Sequence, residues 1–323
     1  MEDRLVPFRD VWKAKKRIKS IIETTPLVYS EHLSACTGVK VFLKLEQNHP
    51  TGAFKLRGAA NKILSLSEEE KNTGVTTFST GNHGIAVAYI AKELGIPCTV
   101  CISNRVPGVK VNRLKKLGAT VETVGKSQDD AETRCIQLEK EEGMTVIKPF
   151  DDKDIIAGQG TIGLEIMEQC PEVEEVIIPL SGGGLLSGVG LSMKSVDPSI
   201  QITGVTMEKG AVMQESLRKG HPVSLEEEDT LADSLLGGIG TGNLFTFPMT
   251  KKYMNKGVLV SEAQIREGLL FLLEHHKMVV EGAAATGVGL LLSEDYQPES
   301  HVVLVVSGNN IDHETMTGLI TRV

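Results

Sequence analysis

"IIPLSGGGLLSG", Ile177 to Gly188, is an apolar run that stops at a serine and three consecutive glycines, then resumes with apolar residues at helical spacing. The first part reads as a buried strand and the second as a helix. Three glycines cost more conformational entropy than a strand-to-helix connection needs. A flexible turn is one explanation. The other is that the backbone must approach a ligand closely, because successive N–H groups at a helix start cradle a phosphate.

The same strand-then-helix unit recurs outward from this stretch. Strand-like runs are "GVTTFS", "CTVCIS", "ATVETV", "EEVIIPL", "QITGVTM" and "HVVLVVS". Between them, "GIAVAYIAKELG", "GVKVNRLKKLG", "QDDAETRCIQLEKEEG" and "LLSGVGLSMKSV" carry apolar residues at helical spacing with glycine near an end. Such alternation implies an α/β fold of open parallel sheets with helices on both faces. Two sheets are expected: a small domain over 74–145, and a large one built from 1–73 and 146–323. In folds of this class ligands settle at the carboxyl ends of strands.

Composition narrows the function. The chain has 323 residues, 41% of them hydrophobic and 24% charged, with a net charge of -8. That balance is ordinary for a globular protein and gives no reason to expect nucleic acid or an acidic membrane as partner. No apolar run is long enough to span a bilayer. The first thirty residues read as an amphipathic helix, "VWKAKKRIKSIIE", rather than a signal peptide, so a cytoplasmic protein is expected. Among five cysteines, Cys98 and Cys101 form a CxxC. In a strand, residues three apart point to opposite faces, so these two read as core residues rather than a metal or redox pair. The acidic "SLEEEDT", Ser224–Thr230, reads as a solvated loop.

A second stretch, "TGAFKLRGAAN" (Thr51–Asn61), places Lys55 in the first turn of an expected helix. The helix dipole puts partial positive charge there, which disfavours an ammonium ion. Burial would act in the same direction on a group that titrates near ~10.4 when unperturbed. A lysine kept neutral is what Schiff-base chemistry requires. Two more strand ends carry small or hydroxyl residues. "FSTGNHG" (Phe78–Gly84) offers an anion site at a helix N-terminus, or Ser79 or Thr80 as a plain N-cap. "VVLVVSGNNID" (Val302–Asp312) ends in Ser307, which could bond a ligand nitrogen or start a turn.

Two cofactors compete for this set. Gly182, Gly184 and Gly188, with Glu208 about 20 residues on, imitate a dinucleotide fingerprint, but the third glycine comes one residue late. An NAD(P)-dependent oxidoreductase would also leave Lys55 idle. Pyridoxal phosphate, an aldehyde with a phosphate, uses the lysine, the glycine cradle, the anion site and the serine together.

At these residues the chain resembles the fold type II pyridoxal-phosphate enzymes, the threonine dehydratases and serine racemases. "GAFKLRGA", "STGNHG", "SGGGL" and "VVSGNN" match that family's four motifs in order, and "IIAGQGTIGLEI" adds a fifth similar stretch. "PLSGGGLLSGV", "LADSLLGGIG", "VVEGAAATG" and "SGNNID" are most similar to the hydroxyectoine-utilisation dehydratases. The resemblance implies a dehydratase or ammonia-lyase acting on a threonine- or serine-like substrate or on one derived from hydroxyectoine, in a homodimer, with racemisation as an alternative. It implies that Lys55 bonds the cofactor and acts as base, that Phe54 packs beside it and that Asn82 bonds its phenolic oxygen. Ser181, Gly182, Gly183, Gly184 and Leu185 would hold the phosphate, and Ser307 would face the pyridine nitrogen. Ser79, Thr80, Gly81, Asn82 and His83 would grip the substrate carboxylate. Thr80 also stands where racemases present a serine acid/base. Glu281 reads either as a support for the site or as a surface carboxylate at a helix start. Thr206 and Val212 stand where some relatives have acidic metal ligands, so no metal is expected there. The chain stops soon after its last strand, so no regulatory extension is expected.

Overall fold

The computed structural model describes residues 5–106 and 108–321. Along these residues β1 (Leu27–Tyr29) and β2 (Val41–Leu45) come first. Then follow β3 (Val75–Thr77), β4 (Cys98–Ile102), β5 (Thr120–Thr123) and β6 (Thr145–Val146). The last four are β7 (Glu175–Pro179), β8 (Gln201–Met207), β9 (Lys256–Val260) and β10 (Val302–Val306). They form a six-stranded sheet in the order β1-β2-β10-β7-β8-β9 and a four-stranded sheet in the order β5-β4-β3-β6. All neighbours are parallel except the short edge strand β1, which runs antiparallel to β2. Helices follow nearly every strand, so two open parallel sheets are what the alternation produces.

The strands of the large sheet are apolar on both faces, as burial under helices demands. Leu43, Ile177, Val302 and Leu304 point to one face, where they meet Ala284, Val288, Ile265 and Leu269 of two later helices. Val176, Ile178, Val303 and Val305 point to the other, onto Leu186, Val189, Ile162 and Ile166. In the small sheet, Cys98 joins the core that contains Val75, Ile85 and Leu56, while Cys101 joins Cys135 and Leu138 on the opposite face. The CxxC is therefore split by the sheet, as strand geometry requires. β6 pairs with β3 in the small sheet through Thr145 and Val146. The helix Lys55–Ser65 packs Leu56, Ala59 and Ile63 into that sheet's core as well.

Strand order decides where a ligand can sit. From β7 the chain steps outward to β8 and β9, then returns so that β10 lies between β7 and β2. This reversal is a topological switch point, where the carboxyl ends of adjacent strands diverge and leave a crevice. Val306 is level with Leu45 of β2, and Leu304 with Ile177 of β7. The segments leaving these three ends contain Ser307, Lys55 and the triple glycine respectively. The fold gathers three sequence motifs at one crevice.

Glycine explains how close the helices behind that crevice come. A Cβ on Gly58 would lie 2.5 Å from Gln159 Nε2, and one on Gly158 would lie 2.7 Å from the carbonyl oxygen of Arg57. One turn further, a Cβ on Gly188 would stand 2.5 Å from the carbonyl oxygen of Ile156. Gly188, the late third glycine of the dinucleotide-like pattern, is thus a helix-packing residue. No helix among the described residues is long and apolar enough to cross a membrane.

Candidate active site

Lys55 opens its helix, with Phe54 at the N-cap and no side-chain cap. Its amine turns inward and donates to the carbonyl oxygen of Pro149 at 2.7 Å, 5.3 Å from the centre of the Phe54 ring. Burial pushes its pKa down to about 8, with the Glu281 carboxylate acting the other way. The lysine therefore loses its proton more readily than an exposed one, and it lies within the crevice rather than in bulk solvent.

Beside it runs the glycine loop. Gly183 has φ +83°, a left-handed conformation, and caps the helix Gly184–Val196. A Cβ on Gly182 would meet the Phe150 ring at 2.5 Å, and one on Gly183 would meet Thr250 Oγ1 at 2.7 Å. Phe150 therefore lies between the lysine's acceptor, Pro149, and the loop. The first backbone bond into this turn comes from Ser187 N to Gly183 O at 2.8 Å. The N–H groups of Gly182, Gly183, Gly184 and Leu185 have no acceptor among the described residues. Ser181 is half-buried and Leu185 buried at the same mouth. The structure thus brings Lys55, Phe54 and all five loop residues together.

Ser307 joins them from β10. Its carbonyl accepts from Phe54 N at 3.0 Å, tying the residue before the lysine to the strand end. Ser307 is 2% exposed, yet its hydroxyl has no partner. A buried hydroxyl without a partner is rare and calls for a missing group.

The loop after β3 completes the wall. Gly81, not Ser79 or Thr80, is the N-cap of the helix Asn82–Leu94, and no side chain caps it. Ser79, Thr80, Gly81 and Asn82 are half-buried, and the first backbone bond of the helix runs from Ile85 N to Gly81 O at 3.1 Å, so the earlier N–H groups have no partner within the helix. His83 is different. Its ring is buried and its Nε2 lies 2.9 Å from the carbonyl oxygen of Ile147. Burial, with Lys55 nearby, pushes its pKa down to about 3, so it is a neutral core imidazole. Its other ring nitrogen, Nδ1, is buried without a partner.

Asn82 is committed on both ends of its amide. Nδ2 donates to both oxygens of Glu281 at 3.0 and 2.9 Å, and Oδ1 accepts from Asn310 Nδ2 at 2.6 Å. Glu281 is not at the surface. It is 4% exposed, accepts a further bond from Ser234 Oγ at 3.1 Å, and is raised above the ordinary carboxylate range by burial.

A pyridoxal phosphate fits this set on three counts. A lysine with a lowered pKa faces the crevice, the glycine turn leaves a row of free N–H groups, and Ser307 offers a hydroxyl with nothing else to bond. No group of three or more His, Cys, Asp or Glu side chains among the described residues is placed to hold a metal. The sequence does not single out Pro149, Phe150 or Ser234. Pro149 acts through its carbonyl, which every residue has. Ser234 meets Glu281 only across the closed fold.

Similarity to known proteins agrees with this geometry. The family of pyridoxal-phosphate dependent enzymes matches residues 18–308, and the chain belongs to that family. A Sinorhizobium fredii protein provisionally assigned as a threonine dehydratase is 47% identical over 318 residues, covering 97% of this chain and 96% of its own. The L-threonine ammonia-lyase of Thermotoga maritima is 40% identical, covering 98% of this chain and 79% of its own. Among solved structures, maize serine racemase superposes with a TM-score of 0.92 at 33% identity, covering 98% of this chain and 97% of that one.

Proposed function

We propose that this chain is a pyridoxal-phosphate-dependent ammonia-lyase that eliminates water from a β-hydroxy-α-amino acid of the threonine and serine class. The observation that carries the reading is the Lys55 amine, its pKa lowered by burial, hydrogen-bonded to Pro149 O beside the Phe150–glycine wall. The relatives named for threonine dehydration support it.

In this reading the N–H groups of Gly182, Gly183, Gly184 and Leu185, with Ser181, hold the phosphate. Phe54 would flank the ring and Ser307 Oγ would bond its nitrogen. When bound, the cofactor supplies an electron sink for the bonds to Cα. A serine at the ring nitrogen, unlike a carboxylate, leaves that sink moderate, which suits elimination. Lys55 Nζ would hold the cofactor at its aldehyde carbon and, once free, would take the Cα proton, which it can pass to the departing hydroxyl. Ser79, Thr80, Gly81 and the backbone of Asn82 and His83 grip the substrate carboxylate, which fixes the Cα–H bond toward Lys55. The Cβ–O bond breaks as the hydroxyl leaves as water. The enamine set free is hydrolysed to a 2-oxo acid and ammonia.

Substrate size is set, in this reading, by the loop Leu231–Gly240. Ser234 of this loop bonds Glu281, and a Cβ on Gly237 would meet nothing within 4 Å. A substrate larger than serine, such as a hydroxylated diaminobutyrate derived from hydroxyectoine, belongs to this reading through the loop's resemblance to the hydroxyectoine-utilisation dehydratases. A homodimer working in the cytoplasm belongs to the same proposal. Racemisation is the second reading, favoured by the likeness to maize serine racemase.

The test is ammonia release by the purified yellow protein from L-threonine, L-serine, 3-hydroxyaspartate and the hydroxylated diaminobutyrate, with chiral analysis of recovered amino acid. Release of ammonia with a 2-oxo acid is expected. A colourless protein that instead gives an NAD(P)H-dependent absorbance change would overturn the reading.

A further inference from the structure

Arg113 belongs to the helix Gly108–Lys116, which packs on the small sheet. Its Nη1 donates to Asn310 Oδ1 at 2.8 Å, beyond the end of β10 in the large sheet. Asn310 Nδ2 donates in turn to Asn82 Oδ1 at 2.6 Å, and Asn82 Nδ2 donates to both oxygens of Glu281. Every bond points the same way, from a cation through two amides to a buried anion. The chain crosses from small domain to large, back to small, and into the large domain again.

An amide placed between a guanidinium and a carboxylate has one preferred orientation. Turning either asparagine over would set donor against donor at one end and acceptor against acceptor at the other. Bonds aligned head to tail also polarise one another, most strongly where the chain ends at the buried Glu281, although Arg113 itself is exposed. Glu281 is nine-tenths buried and more, so losing the donor that faces it is costly. Arg113 Nη2 lies 3.5 Å from Thr51 O, and Asn310 Nδ2 lies 3.0 Å from the same oxygen, which joins the chain to the turn before Lys55.

We propose that Arg113 is a positioning residue that acts through Asn310 to set the Asn82 amide and to hold the first turn of the Asn82 helix against the large domain. The inference rests on the proposed lyase reading only for its kinetic consequence. Its structural content stands apart, because the side chains of Arg113 and Glu281 share no direct hydrogen bond, yet are to behave as one unit.

The test is a double-mutant cycle of Arg113→Met and Glu281→Gln in the full-length, cofactor-loaded protein. It is read by hydrogen exchange of the amides of Ile85–Ala88 and by kcat/KM for L-threonine. Each single change is expected to speed exchange there about tenfold, the worth of one charge-assisted hydrogen bond. The double variant should fall short of the product of the two by at least about threefold. Arg113→Lys, which keeps one charged donor for Asn310, should restore most of the protection and of kcat/KM. Asn310→Leu, which breaks the chain at its centre without touching either charge, should match Arg113→Met. Strict multiplicativity, or exchange that changes only in the Gly108–Lys116 helix, overturns the proposal. If the wild-type protein releases no ammonia, the lyase reading fails while the exchange cycle still decides this one.

Discussion

The amine of Lys55 ends 2.7 Å from the carbonyl oxygen of Pro149, and Phe150, one residue on, closes against Gly182 and Gly184. Lysine, acceptor and glycine wall are thereby one contiguous surface, although they come from three distant parts of the chain. Lys55→Ala should remove ammonia release entirely while leaving the fold intact, since a truncated residue at a helix start adds no buried charge. The check is a mass measurement after borohydride treatment. Wild type should carry one cofactor mass on the peptide containing Lys55, and the variant none.

The depressed titration of Lys55 sets a pH signature. Below about 8 the amine is mostly protonated and cannot attack an aldehyde. In stopped-flow mixing of cofactor-free protein with pyridoxal phosphate, the attachment rate should climb as pH rises to about 8 and level off above it. A lysine exposed to water would keep climbing towards ~10.4. A continued rise past 9 would mean that burial does not govern this amine.

Two glycines of one stretch should fail in different ways. Gly183 sits at φ +83° with its missing Cβ aimed at Thr250 Oγ1, so Gly183→Ala strains the glycine turn proposed to hold the phosphate. A left-handed alanine costs roughly 1–2 kcal/mol before any clash is counted. Cofactor affinity in equilibrium dialysis should drop at least about tenfold, which corresponds to that strain. Gly188→Ala drives a methyl into the Ile156 carbonyl between two helices and should lower the unfolding midpoint by far more than it weakens cofactor binding.

These outcomes also mark what the sequence makes legible. The two sheets follow from apolar runs alternating with helical patterns, because parallel strands must be buried on both faces. The triple glycine and Lys55 stand out since each defies a local preference, of entropy in one case and of the helix dipole in the other. Gly188 was open to a dinucleotide reading because sequence spacing does not distinguish a glycine beneath a phosphate from one beneath another helix. Glu281 looked equally like a surface residue. "VVEGAAATG" carries an ordinary helix start, and only the approach of Asn82 and Ser234 buries its carboxylate. Arg113 is hidden for the same reason: on its own helix it is one of several basic residues, and its partner lies 197 positions away.

The last prediction concerns charges behind the site. Arg57, two residues after Lys55, is fully buried and spends its guanidinium on two carboxylates. Nε and Nη2 donate to Glu46 at 2.7 and 2.9 Å, and Nη1 and Nη2 donate to Glu165 at 2.6 and 2.8 Å. Lys44 donates to Glu165 at 2.6 Å, so two cations face two anions. Arg57→Met leaves Lys44 alone with both carboxylates and should cost about 3–5 kcal/mol of stability at neutral pH, measured by urea unfolding. Burial works to raise both carboxyl groups, but the bonds and charge of Arg57, aided by His49 at Glu46 and by Lys44 at Glu165, hold them below the ordinary range. The sign follows. Such groups stabilise the native chain fully above their unfolded value of ~4.3, and the contribution is lost as pH falls through the lower native one. Wild type should therefore lose stability in acid more steeply than Arg57→Met, and the gap between the two should narrow below about pH 4. A gap that stayed constant from neutrality into acid would show that Arg57 stabilises through packing of its stem rather than through its charge.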